Sequence, residues 1–377
     1  MKLLFLTGSR GEWGYIRPIL RLCKQQNIQY QICATNMHLL AANGLSIQNI
    51  KADGFEVSDE IDMALEGHNH FTMTKSLGVL LLSFADLIKR TQPNWLVLAG
   101  DRGEQLMGAI AGAYTYVPVA HIQAGELSGN IDGLARHAIG KFAHLHFASN
   151  LDAAQRLLKL GEEEFRIKMV GAPQLDEIVR DEVTPRDYLT QEFNIDFSKP
   201  YILVCQHSVT EEFDQIASQI QCTIDALNSV KMQKIWIFPN NDAGCDVIRD
   251  NILKNRKSDT YIFENLKRED YLGIMKYAQC MIGNSSAGLL EAPTFKLPVV
   301  NLGRRQLNRV RGQNVIDSPF EKDVVIASLR KACSPEFRDS IQNMENPYGD
   351  GRSAERILEI LQNTPVNANL LSKNLTY

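Results

Sequence analysis

The sequence predicts an α/β protein made of two Rossmann-like domains, each with a doubly wound parallel sheet. Three observations carry that expectation. Short apolar runs rich in Val, Ile, Leu and aromatic residues alternate with helix-like stretches along the chain, the pattern of buried parallel strands joined by helical crossovers. The alternation pauses once, at the charged, proline-punctuated segment DEIVRDEVTPRDYLTQEFNIDFSKP, residues 176–200. And 377 residues exceed what one typical core organises.

In the first half, the runs at residues 3–6, 30–33, 95–98, 118–122, 145–147 and 168–170 are too short for helices and read as strands. Helical patterns at 14–26, 74–90 and 105–114 lie between them. After the polar connector, strands are expected at 201–205, 234–238, 261–263, 280–282 and 299–302. Helical periodicity returns at 353–361, and the tail beyond Pro365 is polar. The expected domains are therefore 1–175 and 176–352. Loops at the carboxyl ends of such strands are where open α/β sheets bind ligands, in the cleft that two such domains share.

Composition narrows the function. Forty Lys and Arg against 44 Asp and Glu leave a formal charge of −4, with no cationic excess to neutralise a nucleic-acid backbone. A small phosphorylated ligand held by a few arginines is compatible with it. The seven cysteines contain no C-x-x-C pair and read as free thiols of a reducing compartment. The apolar run before Gly8 is too short for a signal peptide. The apolar patch at 79–82 is broken by Ser83 and Asp86, so no segment is expected to span a membrane. These features predict a cytoplasmic protein. The close histidine pairs His68/His70 and His144/His146 lack a third ligand at a usual spacing, so no metal is expected.

The polar loops come next. Gly8-Ser9-Arg10-Gly11-Glu12-Trp13-Gly14 follows the first strand without the spacing of a dinucleotide fingerprint. Arg10 is either a solvated turn residue paired with Glu12 or a ligand contact at a cleft edge. Gly100-Asp101-Arg102 ends the third strand. Asp101 is either a helix N-cap or catalytic, and Arg102 adds charge to backbone donors suited to phosphate. The segment from His121 to His137 concentrates Gln123, Glu126, Asp132 and Arg136 after a buried strand. A helix cap at Asp132 with Arg136 as its surface partner is the plain alternative to a site. In the second half, His207 follows a strand, Asn240 lies in Phe-Pro-Asn-Asn-Asp, and Gly283-Asn284-Ser285-Ser286 opens a helix carrying Glu291. Glycine, two hydroxyls and a helix start favour a phosphate, against a simple serine cap. Arg304, Arg305, Arg309 and Arg311 then suit a diphosphate.

Taken together, Gly100-Asp101-Arg102, HIQAGELSGNIDGLARHAI (121–139), Gln206-His207, FPNNDAG (238–244), IGNSSAG (282–288) and Asn301-Leu302-Gly303 with Arg305 resemble the UDP-N-acetylglucosamine 2-epimerases, specifically the hydrolysing branch of sialic-acid-like sugar synthesis. The resemblance runs through nearly the whole chain. It implies a GT-B-like fold, with the last helix (about 353–377) packing back on the first domain. It also implies UDP held mainly by the second domain, no cofactor, and a homodimer or homotetramer. By motif position it implies nucleotide contacts at Arg102, His207, Asn240, Ser285, Ser286, Glu291 and Arg305, and sugar or phosphate contacts at Arg10 and Arg136. Catalytic roles fall on Asp101, Asp132 and His207. Gln123 stands where related members often carry glutamate; either Glu126 supplies that carboxylate or Gln123 only binds sugar. The opening Gly-Ser-Arg-Gly-Glu-Trp-Gly and Gln123 look most like the branch using a nucleotide-linked N,N′-diacetylbacillosamine, with UDP-N-acetylglucosamine as the other substrate considered. The competing readings are a non-hydrolysing epimerase, a GT-B glycosyltransferase and a non-catalytic nucleotide-sugar sensor.

Overall fold

The computed structural model describes residues 1–67, 69–128 and 131–376. The chain forms two compact units. One comprises Met1–Leu127, Ile131–Asp176 and Tyr348–Tyr377; the other is essentially Glu177–Pro347. The first unit holds β1 (Lys2–Thr7), β2 (Gln29–Thr35), β3 (Asp59–Ile61), β4 (Trp95–Ala99), β5 (Val119–Ile122), β6 (Leu145–Ala148) and β7 (Ile167–Met169). They pair in the order β3-β2-β1-β4-β5-β6-β7, all parallel. The second holds β8 (Tyr201–Cys205), β9 (Gln233–Ile237), β10 (Thr260–Phe263), β11 (Cys280–Gly283), β12 (Val299–Leu302) and β13 (Val315–Ser318). Their order is β10-β9-β8-β11-β12-β13, again all parallel.

Each sheet is covered on both faces, which is why its central strands read as unbroken apolar runs. Leu3 and Phe5 of β1 enter one core, beside Trp95, Val97 and Ala99 of β4; Leu4 and Leu6 enter the other, beside Leu96 and Leu98. In the second unit Ile202 and Val204 face one side, Tyr201, Leu203 and Cys205 the other. The two strands missing from the sequence reading, β3 and β13, are both sheet edges. Their sequences Asp-Glu-Ile and Val-Ile-Asp-Ser are only partly buried, so neither carries an apolar run.

Helix starts precede the sequence reading at three points, that of the helix Gly103–Tyr114 by two residues. The first helix is Arg10–Gln25, four residues earlier than expected, because Ser9 caps it: its Oγ accepts the Glu12 N–H at 3.3 Å. The loop after β1 is therefore shorter, and Arg10 is the first helical residue. The helix expected from 74 is His70–Thr91, capped by Asn69 in a reciprocal box with Thr72. By length and composition that helix is apolar enough to cross a membrane, contrary to the expectation that no segment would be. Ser83 and Asp86 dilute its apolar character without ending it. Its Leu80, Phe84, Leu87 and Ile88 are buried in the sheet core.

The helix Ser353–Asn363 belongs to the first unit, where Ala354, Ile357, Leu358 and Leu361 pack with Leu3, Phe5, Ile16 and Ile19. Its N-terminus is held by the buried Asp176, whose two carboxylate oxygens accept the N–H groups of Ser353 (3.0 Å) and Ala354 (2.8 Å). Arg166, also buried, donates to the carbonyls of Leu370 (2.6 Å) and Ser372 (2.8 Å). Asp176→Ala should lower unfolding free energy by about 2–3 kcal/mol, the scale of losing charge-assisted bonds to otherwise orphaned buried N–H groups. Urea unfolding measures it.

Candidate active site

A doubly wound sheet has one place where neighbouring strands lead their following helices to opposite faces, and the loops there diverge to leave room for a ligand. In the first unit that place is between β1 and β4, with Gly8-Ser9-Arg10 and Gly100-Asp101-Arg102 on the two sides. In the second it is between β8 and β11, flanked by Gln206-His207 and Gly283-Asn284-Ser285. Motifs chosen from sequence thus stand at both switch points.

At the first, Gly100 adopts φ 92°, a left-handed conformation that glycine reaches without strain. Asp101 does not cap the next helix. That helix is Gly103–Tyr114 with Arg102 at the N-cap and no side-chain cap bond. The Asp101 carboxylate instead accepts from Arg136 Nη2. Arg136 is buried, not a surface partner, and its Nη1 donates to the Gln123 carbonyl at 2.6 Å. One guanidinium therefore gathers Asp101, Gln123 and its own helix, Ile131–Phe142. Asp132 lies inside that helix's first turn, since the helix begins at Ile131. Gln123 has φ 65°, unusual for a side-chain-bearing residue. Its amide is buried, and neither its oxygen nor its nitrogen has a hydrogen-bond partner.

Glu126 points elsewhere: its buried Oε1 accepts from Ser149 Oγ and from Asn150 Nδ2 (2.6 Å), at the cap of the helix Leu151–Lys159. His121 bonds through Nε2 to the Gly100 carbonyl at 2.7 Å, and burial pushes its pKa down to about 3, so it is a neutral donor there. His144 and His146 are structural: His144 Nδ1 accepts the Val119 N–H (3.0 Å), and His146 Nε2 meets Glu162 Oε2 (3.0 Å). His68, the partner of His70 in the other histidine pair, lies outside the described residues.

At the second switch point Gly283 is obligatory, since a Cβ there would stand 2.0 Å from the Cys205 carbonyl oxygen. Asn284 follows, almost fully buried. Its Oδ1 accepts the His207 N–H (2.7 Å) and its Nδ2 donates to the His207 carbonyl (2.9 Å). Its own carbonyl accepts from Arg305 Nη1 (3.4 Å) and Gln306 Nε2 (2.9 Å). His207 Nδ1 in turn accepts the Asn240 N–H at 3.1 Å, which leaves Nε2 to carry the ring proton. Ser286 is the N-cap of a helix of only four residues, Ala287–Leu290, without a side-chain cap bond, and Ser285 Oγ accepts the Ala287 N–H at 3.4 Å. Glu291 is not on that helix but just past it, because Pro293 cannot extend the bonding pattern. Its Oε1 accepts from Arg268 Nη2 at 2.9 Å. Buried polar atoms without a hydrogen-bond partner surround these loops: Gln206 Oε1, Ser208 Oγ, Asn240 Oδ1, Glu291 Oε2 and Asn301 Oδ1. Such atoms are costly in a folded core.

The model of the family described as UDP-N-acetylglucosamine 2-epimerase matches residues 21–362. The chain belongs to that family. Among its epimerase relatives, a UDP-N,N′-diacetylbacillosamine 2-epimerase (hydrolyzing) of Legionella pneumophila is 38% identical, over 100% of this chain and 99% of that one. A GDP/UDP-N,N′-diacetylbacillosamine 2-epimerase (hydrolyzing) of Campylobacter jejuni is 30% identical over 90% and 89%. The epimerase fold is shared with the UDP-GlcNAc 2-epimerase from Neisseria meningitidis in its complex with UDP-GlcNAc, at TM-score 0.81 and 19% identity, over 97% of this chain and 100% of that one. The two parallel-sheet domains are thus those of the epimerase, GT-B-like fold.

Sequence reasoning on this epimerase passed over two groups. Asn284 was read only as part of a glycine turn, although Gly-Asn before two serines is the signal that marks it. Glu12 and Glu104 were not read as a pair because they lie 92 residues apart. Glu12 accepts the Gly8 N–H at 2.5 Å. Glu104 Oε1, held by Asn36 Nδ2, is 3.1 Å from where a Cβ on Gly8 would stand. Both carboxyls are buried against one turn of chain. Burial, then the charge of Glu104, raises the Glu12 pKa from 4.5 to about 8 against the opposing Gly8 N–H and Arg102. The unfolded chain releases this proton near 4.5 while the folded chain keeps it, so the contribution of Glu12 to stability falls as pH rises between about 4.5 and 8. The slope is at most about 1.4 kcal/mol per pH unit. Glu12→Gln should remove that slope, so that the variant gains on the wild type from pH 5 to 8 in urea unfolding; parallel curves would contradict it.

Proposed function

We propose that the chain is a hydrolysing 2-epimerase that takes UDP-N,N′-diacetylbacillosamine and water to UDP and the free 2-epimeric, mannosamine-configured sugar, for legionaminic- or sialic-acid-type synthesis in the cytoplasm. The observation that carries this reading is the chemical difference between the two switch points. The second offers backbone N–H groups, hydroxyls, amides and Arg305, the equipment for a diphosphate. The first offers carboxylates beside a buried arginine, the equipment for moving a proton on carbon. The activities of the Legionella and Campylobacter relatives support the choice of sugar.

In this reading the C-terminal unit binds UDP through Asn240, Ser285, Ser286, Glu291 and Arg305, while Arg10, Arg102, Gln123 and Arg136 serve sugar and phosphate. Asp101 and Asp132 are the acid and base. One removes the C2 proton as the C1–O bond to the diphosphate breaks, giving a glycal-like intermediate. Protonation at C2 from the opposite face and attack of water at C1 then yield the epimer. His207, whose Nε2 lies 3.5 Å from Cys205 Sγ, serves as a second acid/base or as the donor to the departing diphosphate. Glu126, engaged by Ser149 and Asn150, orders the loop and leaves the proton transfers to the aspartates. A homodimer or homotetramer is the assembly proposed.

The test is turnover in deuterium oxide with UDP-N,N′-diacetylbacillosamine and UDP-N-acetylglucosamine side by side. Expected are free UDP and a free epimeric sugar carrying one solvent deuterium at C2, with faster turnover of the first substrate. A sugar still attached to UDP would indicate a non-hydrolysing epimerase, and an unchanged nucleotide sugar would sink both. Asp101→Asn should lower kcat by about 10²–10⁴-fold with UDP affinity nearly unchanged. Asn284→Ala should weaken UDP binding at least about tenfold, the effect of about 1.4 kcal/mol, measured by calorimetry.

A further inference from the structure

All seven cysteines are free thiols, yet two of them meet. Cys280 opens β11, and Cys333 caps the end of the helix Lys322–Ala332. They are 53 residues apart in sequence, and their Sγ atoms lie 3.5 Å apart. The surrounding backbone is fastened at that spacing. Gln279 Nε2 donates to the Cys333 carbonyl (3.3 Å), and Arg338 Nη2 donates to the carbonyls of Gln279 (2.6 Å) and Ala278 (3.4 Å). A sulfur–sulfur bond of about 2.05 Å requires the two atoms to approach by about 1.5 Å.

We infer that Cys280 and Cys333 form a redox-active dithiol, a modification site at which a small hydroperoxide closes a reversible disulfide beneath the nucleotide-binding loop. The two thiols are unequal in the way this chemistry requires. Cys280 is fully buried, whereas Cys333 is partly exposed. The hydrogen bond between the two sulfurs holds the Cys333 thiol below its ordinary range against its partial burial, and Arg338 adds to the effect. The same bond, with burial, pushes Cys280 up. By contrast Cys23, Cys33, Cys222 and Cys245 are all pushed up by burial.

Cys333 thiolate therefore attacks a peroxide oxygen. With hydrogen peroxide as oxidant, the O–O bond breaks, Cys333 becomes a sulfenic acid, and the departing hydroxide takes up the proton that the Cys333 thiol released and leaves as water. Cys280 sulfur then attacks the Cys333 sulfur; the S–O bond breaks, and the hydroxide takes the Cys280 proton and leaves as a second water. Two thiols and one peroxide become one disulfide and two waters. The bond would anchor the base of β11, the strand that delivers Asn284, to the helices Lys322–Ala332 and Pro335–Ser340.

The test treats the full-length protein with hydrogen peroxide and then maps its peptides by mass spectrometry under non-reducing conditions. Expected is a loss of about 2 Da, a linked pair of peptides containing Cys280 and Cys333, recovery with dithiothreitol, and no such link in Cys333→Ser. Cys280 remaining free to alkylate after denaturation, while Cys333 has gone on to sulfinic acid or is unmodified, would overturn the proposal. The wild-type peptide map alone decides the matter should the variant fail to fold.

Discussion

The switch point between β8 and β11 depends on one buried amide. Asn284 receives the backbone of His207 on its side chain, gives its own N–H to the Cys205 carbonyl (3.1 Å), and accepts Arg305 and Gln306 on its carbonyl. A side chain that exchanges both an acceptor and a donor with one peptide unit imitates a strand partner. It extends the β8–β11 ladder one step beyond where the sheet should end. Gly283 makes this possible by letting β11 pass against Cys205 where any Cβ would collide. With His207 so fixed, its Nδ1 meets the Asn240 N–H, and the ring proton is committed to Nε2. Loop geometry, tautomer and the placement of Arg305 are consequences of the same amide.

The other switch point solves the same problem with charge. Arg136 is buried and divides its donors between the Asp101 carboxylate and the Gln123 carbonyl. A guanidinium can do this because it is planar and always protonated; a lysine would satisfy one acceptor and lose the other. Neutral amides order the loops suited to binding an anion, whereas an ion pair orders the loops suited to proton transfer. A carboxylate in place of the Asn284 amide would lose the donor to the His207 carbonyl. A neutral amide at Asp101 would have no basic form.

Much of this was legible in the sequence, for reasons that differ by element. Central strands such as β1 and β8 are buried on both faces, so their apolar runs are unbroken and their ends are marked by Gly8 and by Gln206-His207. The edge strands β3 and β13 have one neighbour and partial exposure, and the Asp-Glu-Ile of β3 carries no strand signal. Asp101 and Asp132 could be picked out as polar residues after strands. Whether each was a cap depended on helix starts that shift by a few residues with local capping, as Ser9 shows at the first helix. The partners that decide a side chain's direction, Arg136 for Asp101 and Arg268 for Glu291, are set by tertiary contacts that no local pattern records. The Glu12–Glu104 and Cys280–Cys333 pairs belong to the same class, since each joins elements far apart in the chain.

Gln123 joins the fold to the chemistry. Its backbone is held in a left-handed conformation that costs a side-chain-bearing residue on the order of 1–3 kcal/mol, and Arg136 holds its carbonyl there. Its amide is buried with both polar atoms unpartnered. A residue kept only for packing would relax the backbone or replace the amide with an apolar group. A residue kept as a base would need a carboxylate. In the proposed reaction this donor and acceptor pair meets a neutral, hydrogen-bonding substituent such as an acetamido group or a hydroxyl. An amide there discriminates by geometry without adding a negative charge next to Asp101. In the proposed reaction the proton transfers rest on the aspartates, and Gln123 reads the sugar they act on.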